Sequence, residues 1–195
     1  GNVMILHELL ERYPAEVLRF LLLRAHYRQP LEWSEDTLAQ ARATLDGWYR
    51  VLLDHADVPV EGDELQVPEE IEQALCDDLN TPAAFAVLAG LADQLRQADD
   101  SQARRQRKAA LLGAGLLLGL LQDNPEQWFQ QTSAGSEIDP AWVDELLAQR
   151  VAARAARDFA RADEIRKTLS ERGIVIEDGA TGTRWRVEAA SAVVP

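Results

Sequence analysis

Apolar residues recur at helical spacing along this chain as far as Leu169, and after Gly173 the spacing changes to that of strands. The change of period predicts a mainly α protein that ends in one small β element. Pro14 precedes Ala15 to His26, where Val17, Leu18, Leu21 and Leu22 share a face. Ser34 stands at an N-cap position with Glu35 and Asp36 in the following turn. It opens a long helix through Leu38, Ala41, Leu45, Trp48 and Leu52 that ends near His55. Pro68-Glu69-Glu70 starts a short helix, and Thr81-Pro82 reads as N-cap and first helical residue of another, through Ala84, Val87, Leu88, Leu91 and Leu95.

From Gln102 a basic stretch leads into the apolar run Ala109 to Leu121. That run is shorter than the roughly 20 residues of a membrane span and reads as a buried helix. Within it Gly113, Gly115 and Gly119 follow a G-x-G-x-x-x-G spacing with no strand before it. A dinucleotide loop needs G-x-G-x-x-G after a strand, so close helix packing through small residues is the expectation. Gln130 to Glu137 is rich in Thr, Ser and Gly and predicts a linker. The expected organisation is a helical bundle over 1–130, a linker over 131–138, an α+β unit over 139–187 and an unstructured tail over 188–195. Asp139-Pro140 should cap and start a helix toward Arg157. Asp158 should cap another, with Phe159, Ala162, Ile165 and Leu169 buried and Gly173 as its left-handed stop. Ile174 to Ile176 and Thr183 to Val187 are β-type runs joined through Asp178-Gly179-Ala180-Thr181-Gly182, a hairpin connection.

The 195 residues carry 20 basic and 33 acidic side chains, a formal charge of −13. Such an average speaks against nucleic acid, whose binding needs clustered Lys and Arg. The charge is uneven, however. Nine basic and six acidic residues lie between Arg150 and Arg186, against 11 basic and 27 acidic elsewhere. A single Cys, Cys76, excludes a disulfide framework and, beside Asp77 and Asp78, reads as structural. His7, His26 and His55 form no metal-ligand motif, and no phosphate-cradling G-x-x-x-x-G-K-[ST] loop occurs. Taken alone, the chain has no recognisable catalytic site.

The basic segment carries the functional signal. Arg150, Arg154 and Arg157 are spaced to share one helix face, able to neutralise phosphates or donate to base edges. Asp163 and Asp178 flank them, and a carboxylate beside a guanidinium suits the reading of unpaired bases. Phe159 and Trp185 either stack on bases or pack in the core. Arg150, Arg157, Arg161, Arg184 and Arg186 are candidates for phosphate contacts.

Several stretches, in this order, resemble cysteinyl-tRNA synthetases: Tyr13 to Phe20, His26 to Ser34, Asp77 to Pro82, Arg157 to Asp163, Glu177-Asp178-Gly179 and Gly182 to Trp185. Gly1-Asn2 is similar to the end of that family's K-M-S-K-S-x-G-N signature. The resemblance implies the C-terminal half of a class I synthetase without its nucleotide-binding part. The bundle would then be the stem-contacting domain named for a D-A-L-R motif, with Ala15 to Arg19 in the motif's place. The last unit would read the anticodon loop. Arg154, Asp163 and Asp178 stand where the family has base-reading residues, and Phe159 stands where it often has Trp, keeping a stacking face without the indole N–H. By the same resemblance the partner is tRNA-Cys, the protein is cytoplasmic and monomeric without a membrane segment, and zinc and ATP-Mg belong to the absent catalytic domain. Two other readings are the bundle of a mycothiol-pathway cysteine ligase, which lacks a unit like Asp139 to Arg186, and a helical protein-interaction module without RNA.

Overall fold

A computed structural model describes residues 5–130, 138–179 and 182–187. The expected linker apart from Ile138, the 188–195 tail and Gly1-Asn2 lie outside the described residues. The chain divides into two compact units between Glu126 and Gln127, ahead of the expected linker.

The first unit is helical: α1 (Leu6–Arg12), α2 (Ala15–Arg24), α3 (Glu35–Asp54), a 3₁₀ turn (Gly62–Glu64), α4 (Glu69–Cys76), α5 (Thr81–Arg96) and α6 (Ser101–Leu118). The division falls within α7 (Pro125–Gln130). Helix α5 packs against α2, α3, α4 and α6. Where α2, α3 and α5 meet, Phe20 lies edge-on to Trp48 at 5.3 Å and to Phe85 at 4.9 Å between ring centroids. Leu22, expected on the inner face of α2, is exposed, and Phe20 takes the buried position instead. Helix α1 was not expected from the sequence. Its end is tied to the start of α3, because Arg12 donates twice to Glu35, at 2.9 and 3.1 Å, and the Tyr13 hydroxyl donates to the same carboxylate at 2.7 Å.

Capping explains most boundaries. Ser34 and Thr37 form a reciprocal capping box on α3. On α5 the cap is Asn80, one residue before the expected Thr81, because its carboxamide oxygen accepts from the Ala83 N–H at 3.2 Å. Helix α6 ends at Leu118, inside the apolar run, and Gly119 caps it in the left-handed region at φ 69°. The three glycines do different work. A methyl at Gly113 would enter the backbone of Gln66, and one at Gly115 would meet the Leu120 carbonyl, so the close neighbours are chain segments outside any helix.

After Gly119 the chain reverses, and Glu16 holds the reversal. Its carboxylate accepts from the Leu121 N–H at 2.7 Å and the Tyr49 hydroxyl at 2.8 Å, while the Tyr49 oxygen accepts from the Asp123 N–H at 3.1 Å. Arg19 donates to the Leu118 carbonyl at 2.8 Å. Burial raises the Glu16 carboxyl above its ordinary value, against the opposing pull of these N–H and O–H donors.

The second unit contains α8 (Pro140–Ala155), α9 (Phe159–Glu171), β1 (Ile174–Gly179) and β2 (Gly182–Val187). Asp139 caps α8 and Asp158 caps α9. Gly173 follows α9 at φ 72°. The antiparallel strands pair from Ile174 with Val187 up to Gly179 with Gly182, so Asp178 and Gly182 belong to strands and only positions 180 and 181 connect them. Val143, Leu147, Ile165, Leu169, Ile174 and Trp185 form the core of this unit. Phe159, expected among the buried positions of α9, is 62% exposed. Cys76, read as structural, is also exposed, at the end of α4.

Two expected outcomes follow from the first unit. Gly113→Ala should lower stability by about 2 kcal/mol or more through forced displacement of backbone. Gly47→Ala, inside α3 with open space around it, should raise stability by about 0.5–1 kcal/mol. Urea unfolding followed by circular dichroism compares the two. At Glu16, Ala should cost about 1–3 kcal/mol by stranding buried donors, whereas Gln should cost less. A carboxyl with a raised folded-state value favours the fold most when protonated, and that contribution is lost as pH rises through the folded value. Stability of the native chain relative to Glu16→Gln should therefore decline as pH is raised from about 4.

Candidate nucleic-acid interface

In a hairpin, alternate residues face the same way. Ile174, Ile176 and Asp178 on β1 and Thr183, Trp185 and Val187 on β2 make one row, and its apolar members pack on the core. Asp178 closes this row with Thr183 directly opposite, and the Thr183 hydroxyl donates to Asp178 Oδ1 at 2.9 Å. There the row meets α8. Arg150 donates through Nη1 to Oδ1 at 2.9 Å and through Nη2 to Oδ2 at 2.8 Å. Arg154, one helical turn later, donates through Nη1 to Oδ2 at 3.2 Å. The paired Arg150 guanidinium, then the Thr183 hydroxyl, hold the Asp178 carboxyl well below the usual carboxylate range. Asp163 is exposed on α9 and acts electrostatically on Arg150. Arg150, Arg154, Asp178 and Thr183 thus converge from three elements, with Asp163 on α9 acting on Arg150 through its charge.

Several expected sites change role in the structure. Arg150 is only 7% exposed and both its Nη groups are engaged, so it is not available to a phosphate. Trp185 is 5% exposed, and its indole N–H donates to Asp144 at 3.0 Å, so it is a core residue and not a stacking platform. The three-arginine stripe is broken at its end, because α8 stops at Ala155 and Arg157 lies beyond it at φ 59°. Arg184 and Arg186 sit on the opposite hairpin face from Asp178, and Arg186 is paired with Glu177 at 3.0 Å. Arg161 is paired with Glu164 at 2.6 Å. What stays exposed at the α8–α9 end is Arg154, Arg157, Phe159, Arg161 and Asp163, together with half-exposed Asp178.

Sequence reasoning missed Thr183 and Asp144. Thr183 is identifiable once a two-residue connection sets the register, because it then faces Asp178. Asp144 carries no local signal.

A second polar cluster lies in the first unit, where two of the recognised stretches meet. The Tyr27 hydroxyl donates to Asp78 at 2.6 Å, Arg28 Nε lies 3.0 Å from the same carboxylate, and the His26 ring stacks on Tyr27 at 4.8 Å. Asp78 and Leu79 both have positive φ, at 52° and 53°. The cluster closes the turn between α4 and α5 against the segment after α2.

Three family profiles match successive parts of the chain. Residues 1–43 match the tRNA synthetases class I (C) catalytic domain, 70–122 the DALR domain, and 140–186 the Cysteinyl-tRNA ligase anticodon binding domain. The DALR match begins after Ala15 to Arg19, so that stretch falls in the part matched by the catalytic-domain profile. Among relatives, the cysteine–tRNA ligase of Parvibaculum lavamentivorans is 51% identical over 187 residues, covering 96% of this chain and 40% of that protein. Those of Xanthomonas campestris and Rhodospirillum rubrum are 48% and 46% identical, each over 95% of this chain and 40% of their own length. The chain therefore spans about 40% of the length of these relatives, corresponding to their C-terminal part. It is similar to the C-terminal part of cysteine–tRNA ligases, and its two largest matched parts are those of the helical DALR domain and the anticodon binding domain.

Proposed function

We propose that this chain binds tRNA-Cys and reads its anticodon loop on behalf of an ATP-dependent ligase that attaches cysteine to that tRNA. The observation that carries the reading is the exposed end of the second unit, where Arg154 and Asp178 touch beside Asp163 and the free face of Phe159. In this reading Arg154 donates to base edges, the two carboxylates accept from base amines or ring N–H groups, and Phe159 stacks on an unstacked base. Each such contact contributes about 1–3 kcal/mol of discrimination or affinity. Arg157, exposed and without a side-chain partner among the described residues, contacts phosphate.

The ligase chemistry, with its zinc and ATP-Mg, belongs to the remainder of the longer protein. Among the described residues no three His, Cys, Asp or Glu side chains are grouped to hold a metal ion. No described helix is long and apolar enough to cross a membrane. We infer a cytoplasmic monomer. The match of residues 140–186 to an anticodon binding domain favours this reading over a mycothiol-pathway ligase or a protein-interaction module.

Fluorescence anisotropy with a stem-loop bearing the cysteine anticodon, and with three loops each changed at one anticodon base, tests the proposal. The native chain should prefer the unchanged loop. Arg154→Ala and Asp163→Ala should each reduce that preference by about tenfold. Arg157→Ala should weaken all four loops alike and lower the salt slope by about one. Equal affinity of the native chain for all four loops would remove anticodon reading.

A further inference from the structure

A carboxylate offers about four acceptor positions on its two oxygens. At Asp178 four donor contacts already fill them: Arg150 Nη1 and Thr183 Oγ1 on Oδ1, Arg150 Nη2 and Arg154 Nη1 on Oδ2. A base amine can therefore bond to Asp178 only by displacing one of these donors. The donors are unequal. Arg150 is buried and bidentate, and releasing it would strand a guanidinium away from water. Thr183 is set opposite Asp178 by strand register. Arg154 makes one contact, the longest of the four at 3.2 Å, from a side chain that is half in solvent.

Building on the anticodon-reading role above, we propose that Arg150 is a positioning residue for base reading: its buried guanidinium fixes the Asp178 carboxylate, so that Arg154 is the donor an incoming base amine displaces. Arg150 thereby acts on RNA without touching it. It aims both oxygens of Asp178 along the end of the hairpin. Arg154, displaced, becomes free to turn its own donors toward the loop. Asp178 from β1 and Asp163 from α9 both act on Arg150 electrostatically, and Arg154 shares Asp178 Oδ2 with it, so the same guanidinium lies in the field of both proposed acceptors. A pair that served only to hold the unit together would influence stability and leave the ranking of loops untouched.

The full 195-residue chain tests this with two readouts. In free protein, the carboxyl carbon of Asp178, followed by NMR, should titrate below the other carboxylates. Arg150→Lys keeps the charge but loses the two parallel bonds. It should move that titration upward, whereas Arg154→Ala should leave it low. With the four stem-loops, Arg150→Lys should reduce preference for the unchanged loop by about tenfold while affinity for the changed loops stays within about twofold. A native chain that prefers the unchanged loop, with an Arg150→Lys variant that keeps the full preference, overturns the positioning role alone. A native chain with no preference overturns the anticodon reading itself. Should the Arg150→Lys variant fail to fold, arginine side-chain spectra of the native chain decide: on adding the unchanged loop the Arg154 signals should shift and those of Arg150 stay put. Movement of Arg150 with Arg154 unchanged would overturn the proposal.

Discussion

A guanidinium that is 7% exposed must have its charge answered, and in the second unit only one carboxylate among the described residues bonds to it. The Arg150–Asp178 pair therefore constrains much else. It fixes the rotation of α8, since Arg150 can reach β1 from one face only, and so decides where Arg154 lies. It also fixes the end of the hairpin, because Asp178 is the last member of the row whose earlier members, Ile174 and Ile176, face the apolar core. The core and the polar site share one row of side chains, and the transition between them occurs at a single residue.

The first unit solves a different problem with similar means. Its longest apolar run has to end and double back, and a chain reversal exposes N–H and carbonyl groups that need partners. Gly119 and Leu121 adopt left-handed backbone, and the partners come from distant positions in sequence: Glu16, Arg19 and Tyr49. Charged residues close together on α2 thus act as caps for the end of α6 and the turn that follows. In an acidic unit the placement of these few groups says more than the net charge does.

Much of this was legible in the sequence because it is local. Ser34, Asp139 and Asp158 cap their helices and Gly173 takes left-handed backbone, as their residue types imply. The change of period after Gly173 does mark the hairpin. What was not legible depends on register or on distant contacts. Spacing alone grouped Arg150 with Arg154 and Arg157, whereas the bonds to Asp178 turn the first inward and α8 ends before the third. Trp185 had two open roles until its neighbours on the row, Thr183 and Val187, fixed its face. Phe159 matched the apolar period of α9, but it is the helix's first residue, beyond the reach of the core. Helix α1 is short, and the tie of Arg12 and Tyr13 to Glu35 carries no signal in adjacent residues.

The pairing of Gly179 with Gly182 leaves two positions to join the strands. Side chains alternate, so a slip of β2 by one residue along β1 would turn that strand half a step and exchange its two faces. Trp185 would swing out to water, Arg184 and Arg186 would be driven toward the apolar interior, and Asp178 would lose the hydroxyl across from it. The register of the two strands, more than any one side chain within them, thus decides which residues reach the core and which reach water.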